Sequence, residues 1–297
     1  MAPDHDQRPP ADLGPAFRWA VGLNSAYVII EGVSGWLTGS LALLADAAHN
    51  LTDVAGLLIA WGAAVLAKRA VTARHSWGLG RATILAALLN AVAILVGVVA
   101  VVWAAIHRFA DPLAVPGLTV MLVALVGIGV NIGSALLFKS ARKGDLNARG
   151  AYLHMAADAA VSGAVVLAAA GIMITGWNWL DPAVAIAVSL LIAVTAAGLF
   201  REALHLTLDG VPFEIDHGDV AVWLGRQTGV QSLHDLHIWL LSTTRTALAV
   251  HLVWDGPDPD PFIDRVTDAL TDLYGIANVT VQLERRPCDR AAAGLGH

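Results

Sequence analysis

Between residues 17 and 200 the chain alternates long apolar runs with short polar breaks. Six runs have about the 20 residues that a helix needs to cross a hydrocarbon layer: roughly 17–37, 42–66, 82–106, 114–138, 150–174 and 182–200. The pattern predicts six membrane spans. Lys68, Arg69, Arg74 and Arg81 fall between spans two and three, Lys139, Arg142, Lys143 and Arg149 between spans four and five, and Arg201 after span six. The other loops, "LTGSL", "HRFADPLAVPG" and "TGWNWLDP", hold only Arg108. Cations gather on the cytoplasmic side of membrane proteins, so both termini are expected there. From "DGVPFEIDHGDV" onward the periods shorten. Residues 216–228 have helical spacing of Val220, Val222, Trp223 and Leu224. "LHDLHIWLLS" and "ALAVHLVWDG" are β-rich runs around the polar "TTRT", a hairpin signal. "PFIDRVTDALTDLY" puts Phe262, Ile263, Val266, Leu270 and Leu273 on one side of a helix, and "NVTVQLE" closes as a strand. The order αββαβ predicts a small α+β fold with helices on one face of an antiparallel sheet.

Composition strengthens this picture. Of 297 residues 57% are hydrophobic and 14% charged, too apolar for an ordinary soluble domain. The protein is therefore expected to be integral to a membrane, surrounded by lipid. A net charge of −6 without long Lys/Arg clusters excludes nucleic acid as a partner. The single cysteine, Cys288, excludes an internal disulfide framework. "MAPDHDQRPPADLGP" lacks the basic region, apolar core and cleavage site of a signal peptide, so the first span is expected to be retained. The expected organisation is a disordered cytoplasmic tail at 1–16, a six-helix membrane domain at 17–205, a cytoplasmic domain at 206–288 and a disordered tail at 289–297.

The candidate chemistry lies inside the spans. In "LADAAHNLTD", His49 and Asp53 are at i and i+4 and project from one helix face. In "AYLHMAADAAVSG", His154 and Asp158 repeat the spacing. Brought face to face, the two pairs offer two imidazole nitrogens and two carboxylate oxygens, a tetrahedral cage suited to a divalent cation. A lone ionised side chain at mid-membrane costs about 2.5–3.5 kcal/mol or more, and a divalent cation cancels both carboxylates. Two protons on the imidazoles, whose ordinary pKa is about 6.5, would cancel them equally. Metal and protons would then compete for one set of ligands, a mechanism for coupling their movements. A polar lock between helices is the alternative reading of such pairs. Asp46, one turn before His49, suits a carboxylate orienting that imidazole, or a helix cap.

These stretches, with "NSAYVIIEGVSGWLTGSLALLADAAHNLTD", "HSWGLGRATILAALLNA", "DPAVAIAVSLLI" and "HDLHIWLLSTTRTALAVHLV", give the chain from about residue 17 to 288 a strong resemblance to the cation diffusion facilitator family of divalent-metal transporters, in its bacterial zinc-efflux and animal zinc-transporter branch. The resemblance implies six membrane helices, a cytoplasmic ferredoxin-like domain, a homodimer, and export of metal from the cytoplasm in exchange for protons, with the cell's inner membrane as the expected location. It aligns His49, Asp53, His154 and Asp158 with the family's transport site and favours Zn2+ as the transported ion, with Cd2+ able to share the path. It also places His234 and His251 where the family holds a regulatory metal, with Glu284 near a third ligand and Gln282 where some members have histidine. Cys288, or His5 from the tail, could complete such a set. Strand-surface histidines are the bland alternative.

The remaining polar residues have plainer readings. Asn24, Asn90 and Asn131 suit hydrogen bonds between helices, with Asn24 and Asn131 also candidates for the ion path. Glu31 could line that path or pair near the outer surface. Asp181 before Pro182 resembles a helix start, His75 an ordinary loop residue, and His237 and Trp239 part of the hairpin's packing or a dimer surface. Two other functions fit intramembrane ligands. A membrane zinc hydrolase needs an open coordination position and a general base, and no H-E-x-x-H occurs here. A membrane metal sensor needs an output module, and the chain has none recognisable.

Overall fold

The computed structural model describes residues 14–110, 113–138 and 146–286. Residues 1–13, 111–112, 139–145 and 287–297, among them His5, Lys139, Arg142, Lys143 and Cys288, lie outside the described residues. Six long helices come first: α1 (Gly14–Thr38), α2 (Leu41–Ala67), α3 (Ala82–Ala110), α4 (Gly117–Phe138), α5 (Leu146–Thr175) and α6 (Leu180–Thr207). Each corresponds to one expected span, α4 beginning at Gly117 rather than at the expected 114. Among the described residues, four stretches are long and apolar enough to cross a membrane: Ala82–Phe109, Gly117–Leu137, Met155–Thr175 and Leu180–Thr207. α1 and α2 have 25 and 27 residues, and the first half of α2 carries Asp46, His49, Asn50 and Asp53. Leu167, Ile174 and Val194 are among many large apolar side chains left exposed, a surface that lipid rather than water would cover.

The chain divides into two compact units, one of residues up to Leu57 with Val92–Ala197, the other of Leu58–Ala91 with Gly198 onward. In the first, the start of α2 is held from two sides. Leu41 and Ala45 pack with Ala105 of α3, Val161 of α5 and Ala185, Val188 and Ile192 of α6. Ala42 and Leu43 pack with Val120 and Ala124 of α4 and Val165 and Ala169 of α5. Gly39 makes the sharp turn between α1 and α2 at φ +67°, a conformation glycine adopts without steric cost.

Asp181 sits in the first turn of α6, yet its carboxylate serves another helix. It accepts from the backbone N–H of Leu41 at 2.7 Å, that of Ala42 at 3.3 Å and the Ser40 hydroxyl. These are the unpaired donors at the start of α2, where a carboxylate also meets the positive end of the helix dipole. Fully buried, Asp181 thus caps α2 from across the bundle.

The second unit contains α7 (His217–Gly225), β1 (Val230–Ser242), β2 (Arg245–Trp254), α8 (Pro259–Tyr274) and β3 (Ile276–Glu284), the expected αββαβ order. The sheet differs from expectation in one respect. β1 and β2 form an antiparallel hairpin, but β3 lies parallel to β2, so the three-stranded sheet β1-β2-β3 is mixed rather than antiparallel. The cause is α8: a helix crossing over the sheet returns the chain to the edge where β2 began, and the next strand runs in the same direction. Val220 and Leu224 of α7 and Phe262, Val266 and Leu270 of α8 form a core with Leu236, Ile238, Leu248, Val250 and Leu252 of the sheet. α8 ends at Gly275, φ +68°, whose N–H bonds back to Leu270 and Thr271. In the same unit Arg81 pairs with Asp209, and the backbone N–H of Thr243 at the hairpin tip donates to Thr83 Oγ1 at 3.0 Å.

The cap yields a stability prediction. Asp181→Ala leaves three donors at the start of α2 without their acceptor and should destabilise the folded protein by about 1–3 kcal/mol. Asp181→Asn, which keeps one acceptor oxygen, should cost less. Chemical unfolding in detergent, followed by circular dichroism, measures both.

Candidate metal centres

In the helical unit α2 and α5 bring His49 and Asp158 together, with His49 Nε2 at 3.4 Å from Asp158 Oδ1. Asp158 is almost fully buried and His49 half-buried. The side chains of their helix partners, Asp53 and His154, lie outside the described residues. The helical repeat places Asp53 one turn beyond His49 on α2, and His154 one turn before Asp158 on α5. On its other side His49 borders a recess lined by Ala45, Thr52, Val98, Ser189 and Ile192. A neutral imidazole nitrogen and a carboxylate oxygen at this separation can share one cation, or one proton.

Next to this pair, toward the start of α2, lies a second polar layer. Glu31 of α1 and Asp46 of α2 are both fully buried. The Tyr27 hydroxyl donates to Glu31 Oε1 at 2.6 Å, and Ser162 Oγ of α5 donates to Asp46 Oδ2 at 2.8 Å. Asn50 Nδ2 stands between the two carboxyls, 3.1 Å from Glu31 Oε2 and 3.4 Å from Asp46 Oδ1. Asp46 thus bonds to Asn50 and Ser162, and Glu31 faces the bundle interior. Tyr27 reaches Glu31 because Gly127 of α4 leaves room: a Cβ there would sit 2.1 Å from the tyrosine hydroxyl. Asn24 Nδ2 donates to Ser134 Oγ of α4 at 3.1 Å and approaches Met155 Sδ of α5. Asn131 is fully buried, and neither polar atom of its amide has a hydrogen-bond partner among the described residues.

A third cluster lies on the sheet. His234 Nε2 is 3.4 Å from Glu284 Oε2, and His251 Nδ1 is 3.0 Å from Glu284 Oε1. One ligand atom from each of the three lies within 4.8 Å of the others. The two imidazoles meet edge to face, with ring centres 5.1 Å apart. His251 Nδ1 is buried and, despite its closeness to Glu284, lacks the angle of a hydrogen bond. An unbonded buried nitrogen facing a carboxylate fits a zinc ligand set of imidazole and carboxylate. Gln282, beside His251 in the register, donates to Glu284 Oε1 at 2.8 Å and so orients this carboxylate.

Strict alternation along β1 would put His234 on the same face as Leu236 and Ile238, in the core. A β-bulge prevents this. His234 pairs with His251 and His237 with Ala249, so two residues of β1 oppose the single Val250. Within the bulge Asp235 has φ +51°, a left-handed conformation that aspartate tolerates better than most residues. The extra residue keeps His234 on the face of His251 while Leu236 enters the core. It also brings Asp235 Oδ2 to 3.9 Å from His251 Nδ1. Sequence reasoning missed Asp235; its only signal was an aspartate breaking a β-rich run. His237 is exposed and Trp239 half-buried.

Both parts of the chain have counterparts among known proteins. Residues 18–206 match the model of the cation efflux transmembrane domain, and 214–286 that of the cation efflux protein cytoplasmic domain, a dimerisation domain. The chain is 37% identical over 273 residues to the zinc transporter ZitB of Escherichia coli, covering 91% of this chain and 87% of that protein. It is 34% identical over 266 residues to the cadmium, cobalt and zinc/H+-K+ antiporter of Bacillus subtilis, covering 88% and 85%. A solved structure, the metal-bound C-terminal domain of the CzcD transporter from Cupriavidus metallidurans, matches 24% of this chain and 99% of its own length at 33% identity and a TM-score of 0.22.

Asp235→Asn keeps a residue that accepts the left-handed backbone and removes only the charge beside His251. It should leave the fold unchanged and weaken zinc binding by the sheet cluster about tenfold, measured by competition with a chelator of known affinity.

Proposed function

The chain belongs to the cation efflux family, and from that premise we propose that it exports Zn2+ from the cytoplasm in exchange for protons through His49, Asp53, His154 and Asp158. The observation that carries the reading is the 3.4 Å approach of His49 to Asp158 across α2 and α5, which joins one member of each i, i+4 pair. Imidazole and carboxylate together favour zinc, with cadmium next, over the harder ions that prefer all-oxygen sets. Relatives named for zinc, and for cadmium, cobalt and zinc with H+ and K+, support that choice of cargo and the exchange. The cation offsets the buried carboxylates on the way in. Protons on the same ligands offset them when the cation leaves, so the empty site can return without carrying net negative charge through lipid. The protein would work as a homodimer in the inner membrane with both termini in the cytoplasm, the dimerisation domain supplying the contact. The relatives are named as transporters, not enzymes, and the hydrolase and sensor readings gain no specific observation.

The sheet cluster is a candidate regulatory zinc site. His234, His251 and Glu284 would hold the ion, and Asp235 would stand beside His251. Such a metal would tie β1, β2 and β3 together at one end of the sheet.

Proteoliposome flux tests both assignments. Asp158→Ala and His49→Ala should each reduce zinc transport to background while the protein remains folded. His49→Asp should retain transport and shift preference toward manganese and cadmium. His234→Ala should leave the transport site working and alter only metal uptake by the sheet domain; full loss of flux would place the essential site there instead.

A further inference from the structure

The layer beside the transport ligands contains an unbalanced charge. Glu31 and Asp46 are fully buried, and every hydrogen bond described above to their carboxyls comes from a neutral group: Tyr27, Asn50 or Ser162. Two ionised carboxylates away from water need more than neutral donors. A single amide placed between them offers one N–H to each but brings no positive charge. Titratable groups bearing on the pair are Tyr27 on α1, His49 on α2 and Asp158 on α5. α4, which supplies Gly127 and Asn131, carries no ionisable side chain, and no lysine or arginine is among the groups named above as bearing on the pair.

We propose that Glu31 and Asp46 form a proton-binding carboxylate pair, separate from the ligands of the transported cation, that holds one proton when that cation is absent and releases it when the cation binds. It rests on reading His49 and Asp158 as cation ligands. The step is simple in its balance: a proton from solvent adds to one carboxyl oxygen, turning a carboxylate into a neutral acid, and returns to solvent when it leaves. Coupling follows from distance. Asp46 precedes His49 by three residues on α2, about 4.5 Å along the helix axis. A divalent cation at His49 stabilises the ionised pair and expels the proton; its departure removes that nearby positive charge and draws a proton in again. The pair lies on the side of the ligands toward the start of α2, so its proton and the cation need not share a path.

The purified full-length protein in vesicles holding a zinc dye and a pH dye gives protons moved per zinc. Glu31→Gln and Asp46→Asn should each lower that ratio by about one and flatten the pH dependence of transport, while zinc binding at fixed pH, followed by calorimetry, persists. Tyr27→Phe keeps both carboxyls and removes only a donor to the charged form of Glu31. It should move the pH of half-maximal transport upward by about half to one unit, a shift that a purely structural role would not produce. An unchanged ratio in the carboxyl variants, with a Tyr27→Phe profile that overlays the native one, overturns the proposal. So does loss of zinc binding in Glu31→Gln, which would make the pair part of the cation site. If the native protein itself moves no protons, the exchange reading fails as well; if it does and the variants keep its ratio, only the pair fails.

Discussion

A carboxylate carried away from water must be met by a cation, a proton or several donors, and this requirement organises the helical unit. Asp181 is met by two backbone N–H groups and a hydroxyl at the start of α2. Asp46 and Glu31 are met by a tyrosine, a serine and one shared amide. Asp158 is met by an imidazole. Along α2 the three arrangements form successive layers: a cap, a carboxylate pair, and a mixed imidazole and carboxylate centre. Neutral donors dominate the first two, and of the three only the last offers a nitrogen and oxygen set of the kind that suits a borderline divalent ion such as zinc.

α2 is the common axis of these layers, and its placement explains why each can form. Its start is fixed by Asp181 from α6 and packed between α3, α5 and α6 on one side and α4 and α5 on the other. A helix held so firmly at one end defines the positions of Asp46, His49 and Asn50 relative to α1 and α5. Small residues on neighbouring helices complete the fit, above all Gly127, which lets a tyrosine hydroxyl into a space that any side chain would fill.

Much of this was legible in the sequence, because it is local. Length and apolarity specify the six helices, periodicity specifies αββαβ, and an i, i+4 histidine and aspartate pair can be read without knowing the fold. What was not legible depends on the partner of a residue far away in the chain. Asp181 reads as the start of its own helix, yet its hydrogen bonds go to residues some 140 positions earlier. Glu31 gives no hint of Asn50, nor Asp46 of Ser162. The direction of β3 follows from where α8 crosses, which no strand pattern encodes. Asn24 reaches another helix, while Asn131, of the same residue type in a similar apolar run, has no hydrogen-bond partner among the described residues.

The bulge at Asp235 ties ligand placement to strand register rather than to side-chain identity. Straightening the strand with Asp235 still in it would put every residue on its N-terminal side on the opposite face, sending His234 toward the oily interior and Leu233 outward, whereas removing the codon for Asp235 itself would restore a regular pleat with His234 still opposite His251. In the straightened strand the histidine pair would be separated though both histidines remained in the gene. A homologue one residue shorter at this point could thus hold the same pair without a bulge, while one of equal length that lost the bulge could keep every ligand on paper and yet assemble none of them.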